Sequence, residues 1–396
     1  MRNVVIIGVG MHKFGRFIDA SLKEIGGVAV LNALRDANLT QKDIQVAYVG
    51  NGLAGLITGQ EGIRGQVVLK DYGSSCIPIV NVENACASGS TAFRGAWLEV
   101  ASGLYDVALA LGVEKMYVGD TAKTIKAIAA DTDIEVTSGT GIQFTALYAM
   151  QLKRFMVRTG ITIEDVAKVV VKNRYNGSLD PYAQFQEEVT VEEVLNSPLV
   201  ADPLTRMMCS PIGDGAAAAI LCTEEKARRY TDKPLIEVAA CSLRSGIFKQ
   251  GYFSDSPNEV DSVKSAATDA YGTAGVGPDD IDFAEVHDAM APAELWLTEK
   301  LSLVKGSDLA KMIKDGWSEI GGRCPINTSG GLIAKGHPIG ATGVAQICEL
   351  VWQLRGEAGK RQLEKPVIGL SENGGGRIDG DNAAMVVTIL KRSEPW

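Results

Sequence analysis

A chain of 396 residues with 46% apolar side chains can fill two or three packed units, which excludes wholesale disorder. Its net charge of −9, from 39 basic and 48 acidic side chains, argues against a nucleic-acid surface. No apolar run approaches the roughly 18 residues of a membrane span, so neither nucleic acid nor membrane is expected as a partner.

The opening MRNVVIIGVGMHKFG reads as a buried first strand over 4–8, since it has neither the long apolar stretch nor the cleavage site of a signal peptide. Helix is predicted over 21–37, strand over 45–50, helix over 60–72, strand over 78–82, helix over 87–103 and strand over 105–112. From about 117 to 200 the pattern loosens into polar and helical stretches and reads as an insertion. Strands resume at 215–222 and 235–241. This alternation predicts an α/β fold of sheets with helices packed against them. The seven cysteines are odd in number and contain no CxxC pair. Reduced thiols, a cytoplasmic setting and no resident metal are therefore expected, with Cys222, Cys241 and Cys348 as small core residues.

The segment ALRDANLTQKDIQVAYV from Ala33 matches AYGTAGVGPDDIDFAEV from Ala270 without a gap, at an offset of 237. Ala33, Ala37, Asp43, Ile44, Ala47 and Val49 meet Ala270, Ala274, Asp280, Ile281, Ala284 and Val286. Two similar halves are expected: an N-terminal half from 1–116 and 201–250, an inserted region at 117–200, and a C-terminal half at 251–396.

Four places stand out chemically. Strand IPIVNVEN runs into ACASGSTAF, setting Cys86 at a strand-to-helix junction, where unpaired N–H groups should favour thiolate. A structural thiol fits that segment equally well. GGLIAKGHPIGATG sets His337 in a glycine-rich approach to a second helix start, against the plainer reading of a histidine in a glycine loop. A Cys–His pair in a cleft between the halves would supply nucleophile and base. FAEVHDAM delivers His287 to a strand tip, where a surface histidine is the bland account. In IGLSENGGGR, Glu372 precedes a Gly374–Gly376 run whose amides can face an oxyanion or simply form a hairpin turn.

Together these segments resemble the thiolase superfamily over nearly the whole chain. ENACASGS is similar to its nucleophile segment, CSPIGDGAAAAIL to its re-entry into the core, and GGLIAKGHPIGATG to its GHP motif. Where most thiolases carry NEAF this chain reads HDAM, which is similar to the sterol-carrier-protein-2 and archaeal types. The resemblance implies a duplicated αβαβα five-layer fold and reversible Claisen chemistry. In it, coenzyme A, as co-substrate rather than bound cofactor, cleaves a 3-oxoacyl-CoA through a Cys86 thioester. It implies His337 as the base, His287 holding a water in one oxyanion hole, and the amides of Cys86 and a glycine near Gly374 in the other. The second cysteine of the common thiolases is missing: Glu372-Asn373-Gly374 stands where CxG is usual, and Ala289 where HDCF would place one. Glu372, with its pKa raised by burial, is expected to carry the proton instead.

The resemblance further implies a homodimer with strand NVENAC near its interface, and a small zinc-ribbon/OB-fold partner subunit. It spans substrates from acetoacetyl-CoA to aromatic benzoylsuccinyl-CoA. Lys153, Arg154, Arg158, Lys172 and Arg174 of the insertion either meet CoA phosphates or lie on solvated faces. A decarboxylating condensing enzyme would use the same Cys–His–His set, and a non-catalytic acyl-CoA-binding scaffold would keep only the fold. An aldolase-like member is disfavoured by the nucleophilic cysteine.

Overall fold

The computed structural model describes residues 2–72, 76–137, 139–248, 260–394 and 396. The expected boundary between residues 250 and 251 lies outside them.

The strands, in chain order, are β1 (Val4–Gly15), β2 (Val46–Gly50), β3 (Ile79–Val82), β4 (Val107–Glu114), β5 (Leu199–Ala201), β6 (Leu204–Thr205), β7 (Asp214–Thr223), β8 (Ile236–Arg244), β9 (Phe283–Glu285), β10 (Ile368–Ile378) and β11 (Asp381–Arg392). Strands β5 and β6 form a small separate hairpin. The other nine line up among the described residues in the order β3-β2-β4-β7-β1-β8-β11-β10-β9. The first five of these and the last four meet where β1 pairs with β8 over only two positions, Val5 with Glu237 and Ile6 with Ile236.

Four helices define the layers, α1 (Leu22–Asp36), α2 (Ser88–Ser102), α4 (Ser262–Ala274) and α5 (Ile339–Arg355), while α3 (Ile163–Ser178) belongs to the 117–200 stretch. Ile25, Ala29 and Ala33 of α1 pack on Val5, Ile7, Val49 and Leu109, one face of the first strand group. Phe93 and Ala96 of α2, with Val344 and Ile347 of α5, pack between the groups, in one cluster with Ile6 and Ala217 on one side and Val386 and Leu390 on the other. Ala266, Ala267 and Ala270 of α4 cover Leu370, Val387 and Ile389. Helix, strands, two central helices, strands and helix make the expected five layers.

The repeat is visible in a small device. Asp43 accepts from the Thr40 amide at 2.8 Å, and Asp280, 237 positions later, accepts from the Gly277 amide at 2.7 Å. Each closes a one-turn helix between the long helix and its strand.

Two local expectations change. Strand β1 continues to Gly15 rather than stopping at residue 8, because β7 supplies a partner along most of that length. The helix expected over 60–72 shortens to Arg64–Leu69, since Ile63 (φ 48°) turns the chain left-handed just before it and Lys70–Tyr72 tightens into a single 3-10 turn after it. The 117–200 stretch is largely helical, with α3 and a helix over Phe144–Thr159 as its longest elements.

Candidate active site

Cys86 sits two residues before α2, and His337 two residues before α5. The two central helices can bring these junctions together only because small residues line the approach. A Cβ on Gly89 would lie 2.5 Å from the Gly340 carbonyl oxygen. The result is a contact of 3.3 Å between Cys86 Sγ and His337 Nε2.

The far side of the His337 ring fixes its proton. Nδ1 lies 2.8 Å from Thr342 Oγ1, whose hydroxyl donates to the Pro338 carbonyl at 3.1 Å. Having spent its one proton, that hydroxyl accepts from Nδ1–H and leaves a lone pair on Nε2, facing the sulfur. Burial, with His287 beside it, pushes the His337 pKa well down, so the ring is neutral at pH 7.

His287 has the opposite tautomer. Asn373 Nδ2 donates to its Nδ1 at 2.9 Å, while Asn373 Oδ1 accepts from Ser90 Oγ at 2.6 Å. Nε2 therefore carries the hydrogen. Burial lowers the His287 pKa to about 4, and its ring meets that of His337 edge-on with centroids 4.8 Å apart. One imidazole thus offers a base and its neighbour a donor.

Cys86 departs from the expectation of a favoured thiolate. Its pKa is raised well above the ordinary value, first by desolvation and then by Asp131 and Glu114. The amides of Cys86 and Gly376 act in the opposite direction but do not prevail. The resting group is a thiol, facing the Nε2 lone pair of His337. The glycine amide that reaches the sulfur belongs to Gly376. Gly374 lies two residues earlier, and with Glu372 and His287 it lines a cavity of about 50 Å³.

Strand alternation separates Glu372 from Asn373. Asn373 turns toward Ser90 of α2. Glu372 Oε2 accepts the His287 backbone N–H at 2.9 Å, and its pKa is raised to about 7 by burial. Tyr148 and Gln151, from the Phe144–Thr159 helix, complete part of the cavity wall with Trp296 and Arg377.

Several contributors escape sequence reasoning. Thr342 lies inside the GHP segment, five residues past His337, and is readable only as an i+5 neighbour across a helix start. Asn373 reads as no more than part of a glycine-rich run. Glu114 is buried and accepts from the amides of Gly52 and Gly340, both at 2.9 Å, pinning α5 to the loop after β2. Asp131 is brought from the 117–200 stretch to Cys86, and its own pKa rises to about 8 through burial and the nearby Glu83 and Glu114. No sequence pattern marks it.

The basic residues of that stretch are largely committed elsewhere. Lys172 Nζ lies 2.5 Å from Glu294 Oε1 in the interior, and Arg174 donates to the Glu187 carbonyl. Arg158 pairs with Glu299, and Lys153 with Asp202. Cys222, Cys241 and Cys348 are buried, as expected of core thiols. No helix among the described residues is long and apolar enough to cross a membrane.

Residues 4–225 match the thiolase N-terminal domain and residues 251–392 the thiolase C-terminal domain-like family. The chain is 44% identical over 392 residues to the acetyl-CoA acetyltransferase of Methanothermobacter thermautotrophicus, covering 99% of this chain and 100% of that one. It is 39% identical over 381 residues to the benzoylsuccinyl-CoA thiolase subunit BbsB of Thauera aromatica, covering 95% of each. Among solved structures, the Ltp2-ChsH2(DUF35) aldolase superposes with a TM-score of 0.83 at 23% identity, over 100% of this chain and 99% of that chain. The chain belongs to the thiolase family and is an acyltransferase.

Proposed function

We propose that the enzyme cleaves a short 3-oxoacyl-CoA with coenzyme A, or condenses two acyl-CoAs, through a thioester on Cys86. The observation that carries this reading is the 3.3 Å contact of Cys86 Sγ with the lone pair of a neutral His337. In cleavage, His337 Nε2 takes the thiol proton as sulfur attacks the 3-oxo carbon. The oxyanion meets the amides of Cys86 and Gly376. The Cα–Cβ bond breaks, the departing acyl-CoA holds its negative charge on the thioester oxygen beside His287 Nε2–H, and its carbon takes up a proton. The CoA thiol then attacks the Cys86 thioester, its proton passing to the carboxylate left by the first proton transfer to carbon. Protonated His337 returns its proton to the departing Cys86 sulfur and restores the thiol.

Glu372 is proposed as the carrier of the carbon-bound proton. A pKa of about 7 lets it hold or yield a proton near neutrality, and it shares a cavity with His287. The 44% identity to an acetyl-CoA acetyltransferase supports a short acyl group. Acetyl-CoA and acetoacetyl-CoA are therefore the preferred substrates in this proposal, over an aromatic acyl-CoA.

A homodimer is proposed through β3, the outermost strand of the first group, whose Val80 is exposed. A small zinc-ribbon/OB-fold subunit is proposed as a further partner, by analogy with the DUF35 component named in the Ltp2-ChsH2 assembly.

Intact-protein mass after mixing the chain with acetyl-CoA, acetoacetyl-CoA and longer acyl-CoAs tests the reading. An acetyl adduct on the wild type, missing from Cys86→Ala, is the expected outcome. Absence of any adduct, with the partner subunit also present, would sink the thioester mechanism.

A further inference from the structure

Cys86 Sγ, one ring nitrogen of His287 and one of His337 all lie within 4.8 Å of one another. We propose that these three groups form a reversible inhibitory site for a thiophilic divalent cation, zinc above all. The ion would be an inhibitor and not a resident cofactor.

Zinc takes thiolate at about 2.3 Å and imidazole at about 2.0–2.1 Å in a tetrahedron. Such bonds separate sulfur and nitrogen ligands by about 3.6 Å. The Cys86–His337 pair is already at 3.3 Å, so little movement is needed there. His337 presents its Nε2 lone pair, with Nδ1–H held by Thr342, the outer-shell arrangement that orients a metal-binding imidazole.

His287 has to change tautomer, and its surroundings allow it. Rotating the Asn373 carboxamide by a half-turn places Oδ1 against His287 Nδ1–H and Nδ2 against Ser90 Oγ. Ser90 can then donate to the Ala87 carbonyl, 3.1 Å away. Every polar group keeps a partner, and Nε2 of His287 is released as a ligand. A water would fill the fourth position.

The protons balance simply. The Cys86 thiol loses one proton to solvent on binding, and the His287 proton moves from one ring nitrogen to the other. One proton is thus released per ion. An acylated Cys86 has no thiolate to offer, so substrate should protect against the metal. That protection rests on the thioester reading above, whereas metal binding itself does not.

The test is titration of the full-length protein with Zn²⁺ against a chromophoric chelator, alongside Co²⁺ absorption spectra. Expected are one ion per chain, a thiolate-to-cobalt charge-transfer band, loss of both in Cys86→Ala, and at least about 10-fold weaker binding in His287→Asn. Binding that survives in Cys86→Ala, or no stoichiometric binding by the wild type, overturns the site. Preincubation with acetyl-CoA separates the two proposals: unchanged zinc binding counts against the thioester while the metal site stands.

Discussion

Thr342 Oγ1 lies 2.8 Å from His337 Nδ1 and decides which nitrogen of that ring is free to act as a base. Replacing Thr342 with Val keeps the shape but removes the acceptor. The ring can then protonate at Nε2 and lose its base toward Cys86. Stopped-flow acylation of Thr342→Val is expected to slow by about 10-fold or more, with the fold unchanged. Acylation at the wild-type rate would remove Thr342 from the mechanism.

His287 is held as a donor by Asn373, and so its contribution should appear where the Cα–Cβ bond breaks or forms. In His287→Asn the Cys86 adduct should still form from acetyl-CoA, which needs no carbon–carbon cleavage. Overall turnover should fall by about 10²- to 10³-fold, the usual cost of losing one oxyanion donor. A variant that fails to acylate at all would place His287 in the first step instead.

Glu372 couples the site to pH. Its pKa rises from the ordinary 4.5 to about 7 on folding, because burial penalises the charged form. The folded state therefore holds the proton more tightly than the unfolded chain. Its stabilising contribution is full below about pH 4.5 and is lost as pH rises through about 7, amounting to on the order of 3 kcal/mol. Glu372→Gln stays neutral, so its stability relative to the wild type should increase across that window in denaturant titrations. The same variant should lower thiolysis and condensation; unchanged rates would dismiss Glu372 as proton carrier.

The order of helices and strands is legible because small and apolar residues alternate with clear junctions, and Cys86 and His337 fall at helix starts on local pattern alone. Direction across a strand is not legible. Glu372 and Asn373 are adjacent in sequence, yet one faces the cavity and the other Ser90, and only the register with β9 and β11 decides which. The Cys86 thiol escapes for a related reason. A helix start is a local feature, whereas the desolvation that outweighs it, and the charge of Asp131 that adds to it, depend on segments distant in sequence.

The duplicated Asp43 and Asp280 allow a symmetric test. Each caps the same turn in its own half, so Asp43→Ala and Asp280→Ala should each cost about 1 kcal/mol. The sites lie in different halves with no shared partner, and the double variant should therefore be additive in urea unfolding. Strong coupling between them would mean that the two turns do not act as independent copies.

Gly375 of β10 packs directly on the turn that carries Cys86. A Cβ there would stand 2.1 Å from the Asn84 carbonyl oxygen and 2.5 Å from the Ala87 nitrogen, both backbone atoms flanking Cys86. Neither can move without shifting Cys86, so Gly375→Ala should lower acylation by well over 10-fold and cost about 1–3 kcal/mol of stability. Gly272 on α4 provides the contrast, since its added Cβ meets nothing within 4 Å. Gly272→Ala should leave acylation intact and stabilise the helix by about 0.5–1 kcal/mol. Parallel thermal melts and acylation rates read both, and equal behaviour of the two variants would show that close backbone approach at Gly375 does not hold the site together.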